Sequence, residues 1–199
     1  MDYSVPEPYN GKRVVVVGAA ASAVDIAAEL GQHAEKVIMA AQQFGIYFPN
    51  TNRGRPADFT ANRLTLNLPN FLLSSVIVSI LRKSYEALQV DFEKFPWYTT
   101  EKLDLNKMRG AVNTAIIHSI NDGTVTPRKM FTHIEGSNVV FPDGSRETVD
   151  AIILGTGFDI KYPFLPDKMF DSVAGDIGLY LHIFYPPDST IAFTGTTAG

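Results

Sequence analysis

The sequence predicts an α/β fold with a parallel sheet, and three observations carry that expectation. A β-branched strand runs through a glycine turn into a helix start between Val14 and Leu30, a short strand follows at Lys36 to Ala41, and a late apolar strand, Ala151 to Leu154, again ends on glycine. Val14 to Val17 is the continuous apolar run of a strand buried on both faces. Gly18 permits the tight turn that a residue with a Cβ makes only at a cost. Ser22 and Asp25 have the form of a capping box, and Val24, Ile26, Ala27 and Leu30 give the helix a sheet-facing side. With Lys36 to Ala41 this forms the opening βαβ unit of a Rossmann-like nucleotide-binding domain, in which free N–H groups at the helix start attract phosphate. The Gly-x-Gly-x-x-Gly/Ala fingerprint is met at Gly18 and Ala23 but not at Ala20, whose methyl is expected where a pyrophosphate comes closest.

The remaining elements follow in order. Met1 to Asn10 reads as an extended lead-in, and Gln42 to Asn70, rich in glycine and proline, as irregular connection. Apolar residues from Leu73 through Val76, Ile77, Ile80, Leu81 and Tyr85 to Leu88 recur at helical spacing, which predicts a helix over 71–88 packed on its own domain rather than on a membrane. Residues 50–110 thus form an irregular and helical insertion, with Phe92, Phe95, Trp97 and Tyr98 expected in a surface groove or lid. Val139 to Phe141, the Asp143-Gly144 turn and Glu147 to Val149 predict an antiparallel hairpin. Gly155-Thr156-Gly157 ends the late strand as a second strand-to-glycine junction, the kind at which α/β sheets bind ligands. A last strand is expected at Thr190 to Thr194, with edges exposed or paired to another chain.

Composition narrows the function. The chain has 199 residues, 45% of them hydrophobic, enough for a packed core. Its 17 basic and 21 acidic residues give a net charge of −4, which argues against a nucleic-acid partner. The absence of cysteine excludes disulfides, thiolate nucleophiles and dithiol redox centres. No signal peptide is expected before Gly11, membrane association is not expected, and the expected location is cytoplasmic. The four histidines, His33, His118, His133 and His182, lack metal-ligand spacing, and no Gly-x-Ser-x-Gly elbow or Gly-Lys-Ser/Thr phosphate loop occurs. No catalytic side chain and no metal ligand is predicted, so a bound cofactor is expected to carry the reaction.

Several segments line up in order with one family. The lead-in Asp2-Tyr3, Pro6-Glu7 and Gly11 to Val14, the turn and helix from Gly18 to Leu30, the Asp-Gly hairpin, Asp150 to Phe158, Tyr162 to Leu165 and Ile191 to Gly195 resemble the flavin-containing monooxygenases, a class that shades into the Baeyer–Villiger enzymes. The resemblance implies nested dinucleotide-binding domains, in which FAD reduced by NADPH reacts with O₂ and one oxygen atom passes to a nitrogen, sulfur or carbonyl centre of a small substrate. It divides this chain into an NAD(P)H-binding domain at 1–149 and a segment, 150–199, returning to an incomplete FAD-binding domain. The family's first glycine-rich motif is not in these residues, so FAD is expected to need a further segment or another chain. The end of the second strand, Ala40 to Gln43, has no arginine where the family usually places one for the 2′-phosphate, which leaves NADH as an alternative to NADPH, with Arg53 or Arg55 as the substitute cation if NADPH binds.

The candidate cofactor-binding residues are therefore Gly18, Ala19, Ala20, Ala21, Ser22, Ala23 and Asp25 around the turn, Gln42 beside the adenosine ribose, and Gly155, Thr156 and Gly157 at the second junction. A disulfide reductase of similar fold is excluded by the missing cysteines. The second reading is a non-catalytic remnant or assembly module in which Ala20 has weakened dinucleotide binding.

Overall fold

A computed structural model of the chain describes residues 3–52, 55–56, 69–95, 110–157, 166, 178–181 and 183–194. It divides into two compact units, Met1–Gly157 and Phe158–Gly199. The division lies one strand beyond the boundary expected between Val149 and Asp150. In chain order the first unit contains β1 (Arg13–Val17), α1 (Ala21–Leu30), β2 (Lys36–Ala41), β3 (Ile46–Phe48), β4 (Thr51–Asn52), β5 (Arg55–Pro56), α2 (Asn70–Ala87), β6 (Gly110–Val112), α3 (Thr114–Asn121), β7 (Val125–Lys129), β8 (His133–Glu135), β9 (Asn138–Val140), β10 (Arg146–Thr148) and β11 (Ala151–Leu154).

The central sheet has the order β11-β1-β2-β7, with every neighbouring pair parallel. Numbered by their occurrence in the sheet, the strands run 4-1-2-3, which is the Rossmann arrangement, with its switch point between β1 and β11. Alternation along the strands sends Val14, Val16, Val37 and Met39 to one face, where Ala23, Val24 and Ala27 of α1 and Ile116, Ile117 and Ile120 of α3 cover them. Val15, Val17, Ile38 and Ala40 point the other way, onto Val139 and Phe141. Burying each such valine or isoleucine contributes about 1.5–3 kcal/mol, so neither face tolerates exposure. Helices therefore pack one face and antiparallel strands the other. The expected hairpin forms between β9 and β10, and β8 extends it to a three-stranded sheet. β7 escapes a sequence reading because it carries Pro127 and two cations, features an edge strand accepts since one side needs no backbone donor.

Charge fastens this small sheet to the large one. The Glu147 carboxylate accepts from Lys36 Nζ at 2.8 Å and from Arg13 at 3.4 Å, while the Arg128 guanidinium lies 3.8 Å from the Phe141 ring centroid and bonds Asp143 and Ser145. The Lys36 hydrogen bond, then the charges of Lys36, Arg13 and Arg128, hold the Glu147 carboxyl below the ordinary glutamate range.

The insertion leaves and re-enters at one point. β3 and β6 pair in parallel, the Asn50 N–H donates to Thr114 Oγ1 at 2.8 Å, and the Thr114 N–H donates to Asn50 Oδ1 at 2.8 Å. Asn113 caps α3 by accepting from the Ile116 N–H. Within the insertion the expected helix is α2, whose Leu81 and Tyr85 are fully buried. The Tyr85 hydroxyl donates to the Tyr47 carbonyl at 2.8 Å, and its ring meets Phe92 and Phe95 edge-on. Phe92 and Phe95 are thus packing residues, whereas Trp97 and Tyr98 lie outside the described residues. Among the described residues no helix is long and apolar enough to cross a membrane.

In the second unit, Thr190 to Thr194 makes a single bridge from Ala192 to Phe184 in place of the expected strand. Asp188 accepts from the Thr190 N–H and hydroxyl, which turns the chain just where a strand would begin. The Tyr162 to Leu165 segment, His182 and Gly195 to Gly199 lie outside the described residues.

Two outcomes follow for stability. A Cβ at Gly155 would sit 2.7 Å from the Ala23 Cβ, and one at Gly18, where φ is +124°, would sit 2.4 Å from the Gly155 carbonyl oxygen. Gly155→Ala and Gly18→Ala are each expected to lower unfolding stability by about 3 kcal/mol in urea titrations. Gly136→Ala, at φ +60° with nothing within 4 Å of the added carbon, is expected to cost only about 1 kcal/mol. Because folding depresses the Glu147 pKa, its contribution is complete above the ordinary glutamate range and fades as pH falls through the lowered folded value. Glu147→Gln is expected to flatten the acid limb of the stability curve in that window, measured by urea midpoints from pH 6 down to about pH 3.

Candidate functional site

Strand ends and one helix start build the site. The sheet's hydrogen bonds continue past β1, with the Gly18 N–H donating to the Ala40 carbonyl at 2.9 Å and the Gly155 N–H to the Val17 carbonyl at 2.8 Å. These bonds hold the glycine turn and the β11 junction together at the carboxyl edge of the sheet. A cavity of about 440 Å³ opens there, lined by Val17 to Ala20 at the end of β1, Ala41 to Gly45 at the end of β2, Met130 after β7 and Thr156 after β11. Among the described residues every lining side chain is uncharged.

The start of α1 supplies the polarity. Its N-cap is Ala20, at φ −90° and ψ 177°, and no side chain caps it. The first intrahelical bond runs from the Val24 N–H to the Ala20 carbonyl at 3.0 Å, so the N–H groups of Ala21, Ser22 and Ala23 precede it and have no acceptor within the helix. Those amides and the helix dipole favour an anion at this end. The expected capping box does not form. Ala20, one position before the helix, takes the extended backbone of a cap, which leaves Ser22 inside the first turn. Asp25 instead accepts from Asn113 Nδ2 at 2.7 Å. The extended conformation of Ala20 is open to any residue, so alanine in place of the fingerprint's middle glycine does not strain the turn and acts only through its methyl.

The structure brings Gly18, Ala19, Ala20, Gln42 and Thr156 together in the cavity wall. Ala21 and Ser22 are exposed on the first turn of α1, Ala23 is buried beneath it, and Gly155 is buried against Ala23. Gly157, at φ +89°, is exposed beyond the junction and does not line the cavity. Sequence reasoning missed Val17, Ala41, Gln43, Phe44, Gly45 and Met130. The segment after a second parallel strand could have been marked by its position alone, whereas Met130 needed β7 to be recognised. Arg53 lies outside the described residues, and the Arg55 side chain is not described. Among the described residues no cluster of histidine and acidic side chains is suited to a metal ion.

Comparison with known proteins supports the same fold. The 30% identical human flavin-containing monooxygenase 5 aligns over 93% of this chain and 34% of its own length. A flavin-containing monooxygenase structure from Stenotrophomonas maltophilia superposes with a TM-score of 0.56 at 16% identity, covering 96% of this chain and 43% of that one. An NADP⁺-bound cyclohexanone monooxygenase from Rhodococcus sp. Phi1 gives a TM-score of 0.54 at 15% identity, covering 75% and 39%. The chain spans about a third of the length of the curated relatives it matches. The flavin-binding monooxygenase-like family model matches residues 1–197, well beyond the glycine turn shared by many nucleotide-binding domains. The chain therefore belongs to the flavin-binding monooxygenase-like family.

Proposed function

We propose that this chain is the pyridine-dinucleotide-binding portion of an FAD-dependent monooxygenase. Residues 1–149 bind the reduced dinucleotide, and residues 150–199 lead back towards a flavin domain completed by a further segment or another chain. The observation that carries this reading is the cavity at the carboxyl ends of β1, β2, β7 and β11, with the uncapped start of α1 beside it. The donor set fits a dinucleotide: the amides of Ala21, Ser22 and Ala23 bind the pyrophosphate, Gly18 lets the chain turn beneath it, and Gln42 bonds the adenosine ribose. Thr156, past the switch point, borders the path towards the nicotinamide end. When bound, NADPH or NADH supplies a hydride and FAD supplies the chemistry that uses O₂ to oxygenate a small nitrogen-, sulfur- or carbonyl-containing substrate. The protein's part is to bind and orient the dinucleotide. No described residue is assigned to FAD.

The methyl of Ala20 in the cavity wall favours a second reading, in which the same fold serves as a non-catalytic module with weakened binding. Calorimetric titration of the folded chain with NADPH and with NADH tests the first reading, for which saturable binding of at least one is expected. Ala20→Gly is expected to tighten that binding roughly fivefold by removing about 1 kcal/mol of crowding. Absence of heat with both dinucleotides in both variants, with the fold intact by circular dichroism, would favour the module.

A further inference from the structure

We infer that Asn113, which stands outside the cavity wall, is a positioning residue for the dinucleotide: through Asp25 it sets how the first two turns of α1 are rolled on the sheet, and so where the amides of Ala21, Ser22 and Ala23 point. The inference rests on the dinucleotide reading of the site and deepens it. Apolar packing alone fixes that roll weakly. Three of the five buried residues of α1 are alanines, Ala23, Ala27 and Ala28. Such short side chains make shallow ridges, and burial is non-directional, so the sheet sets the helix's distance more firmly than its rotation. Direction comes from hydrogen bonds on the exposed side. Asp25 and Glu29, one turn apart on the same face, accept from Asn113 Nδ2 at 2.7 Å and from the Tyr3 hydroxyl at 2.6 Å. The Cα–Cβ bonds of a helix lean towards its start, so the hold at Asp25 bears on the first turn and the hold at Glu29 on the second half.

Asn113 is set before it meets Asp25. Its N–H donates to the Phe48 carbonyl at 2.9 Å, and its Oδ1 accepts from the Ile116 N–H at 2.8 Å. With the oxygen spent on the α3 cap, the branch facing Asp25 is the amide, the donor that a carboxylate requires. Reciprocal bonds between Asn50 and Thr114 fix the next residue as well. A donor already immobilised loses little freedom on bonding the exposed Asp25 carboxylate, so the bond can orient a helix although water competes for both groups. The anchor where the insertion leaves and returns thus becomes the reference against which the helix start is aimed. Amides that converge on one anion move together when the helix rolls, so the penalty falls on binding before it falls on folding.

Charge and positioning predict opposite signs at residue 25. The Asp25 carboxylate repels a pyrophosphate, so by charge alone Asp25→Ala tightens binding, whereas by positioning the lost acceptor weakens it. NADH and NADPH are titrated calorimetrically into the full chain for the native protein, Asp25→Ala, Asp25→Asn, Asn113→Asp and Tyr3→Phe, with a urea midpoint for each. Asp25→Ala and Asn113→Asp, the latter keeping an acceptor for the α3 cap, are expected to weaken whichever dinucleotide the native chain binds about fivefold, with urea midpoints close to native. Asp25→Asn keeps an acceptor and Tyr3→Phe frees only the far half of α1, so both are expected to bind within about twofold of native. Unchanged or tighter binding by Asp25→Ala overturns the inference while leaving the dinucleotide site standing. A loss of affinity in Asp25→Asn or Tyr3→Phe as large as in Asp25→Ala, or one that follows the urea midpoints across the set, also overturns it, since either marks the bond as merely structural. Binding of neither dinucleotide by the folded native chain overturns both this inference and the reading beneath it.

Discussion

The close approach of two backbones at the carboxyl edge of the sheet governs the rest of the first unit. Gly155 lies against Ala23, and Gly18 lies under the Gly155 carbonyl, so close that a single methyl at either glycine has no room. This packing draws β11, β1 and α1 to one point. It also leaves the first amides of α1 free of a side-chain cap beside the opening between the strands. Tight packing below and unsatisfied donors above are two results of the same arrangement. A bulkier junction would push the helix off the sheet and turn those donors away.

Around that point the unit is built in three layers. One face of the sheet is closed by α1 and α3 through valine, alanine and isoleucine side chains, and the other by the three-stranded sheet through Val139 and Phe141. Hydrophobic burial holds both outer layers. Glu147 adds direction on the strand side, since its carboxylate meets Arg13 of β1 and Lys36 of β2, the two strands that carry the site. A partly buried carboxylate with several cationic partners fixes orientation better than an isolated surface pair.

The features legible in the sequence were those with strong local signals. The valine run of β1, the apolar spacing of α2 and the Asp-Gly turn each have one dominant local solution, and each was found. What local signals could not show was context. β7 reads as polar and proline-containing, yet it belongs at an edge where Pro127 leaves no ladder donor missing. Ser22 and Asp25 have the right types and spacing for a capping box, but the backbone starts its helix two residues early, and Asn113, 88 positions away, takes up Asp25. Within the site, the turn and Gln42 were legible, while Phe44, Gly45 and Met130 become neighbours of the turn only through the order of the strands.

The junction between Asn50 and Thr114 has a further consequence. Two reciprocal bonds and the parallel contact of β3 with β6 hold the outgoing and incoming strands side by side, so the sheet meets a fixed anchor whatever length of chain joins them. Closing a longer loop costs little extra entropy once its ends are pinned. The fold can therefore exchange the material between these two points without disturbing the glycine turn or the strand ends around it, which gives one scaffold room to diversify while its base stays constant.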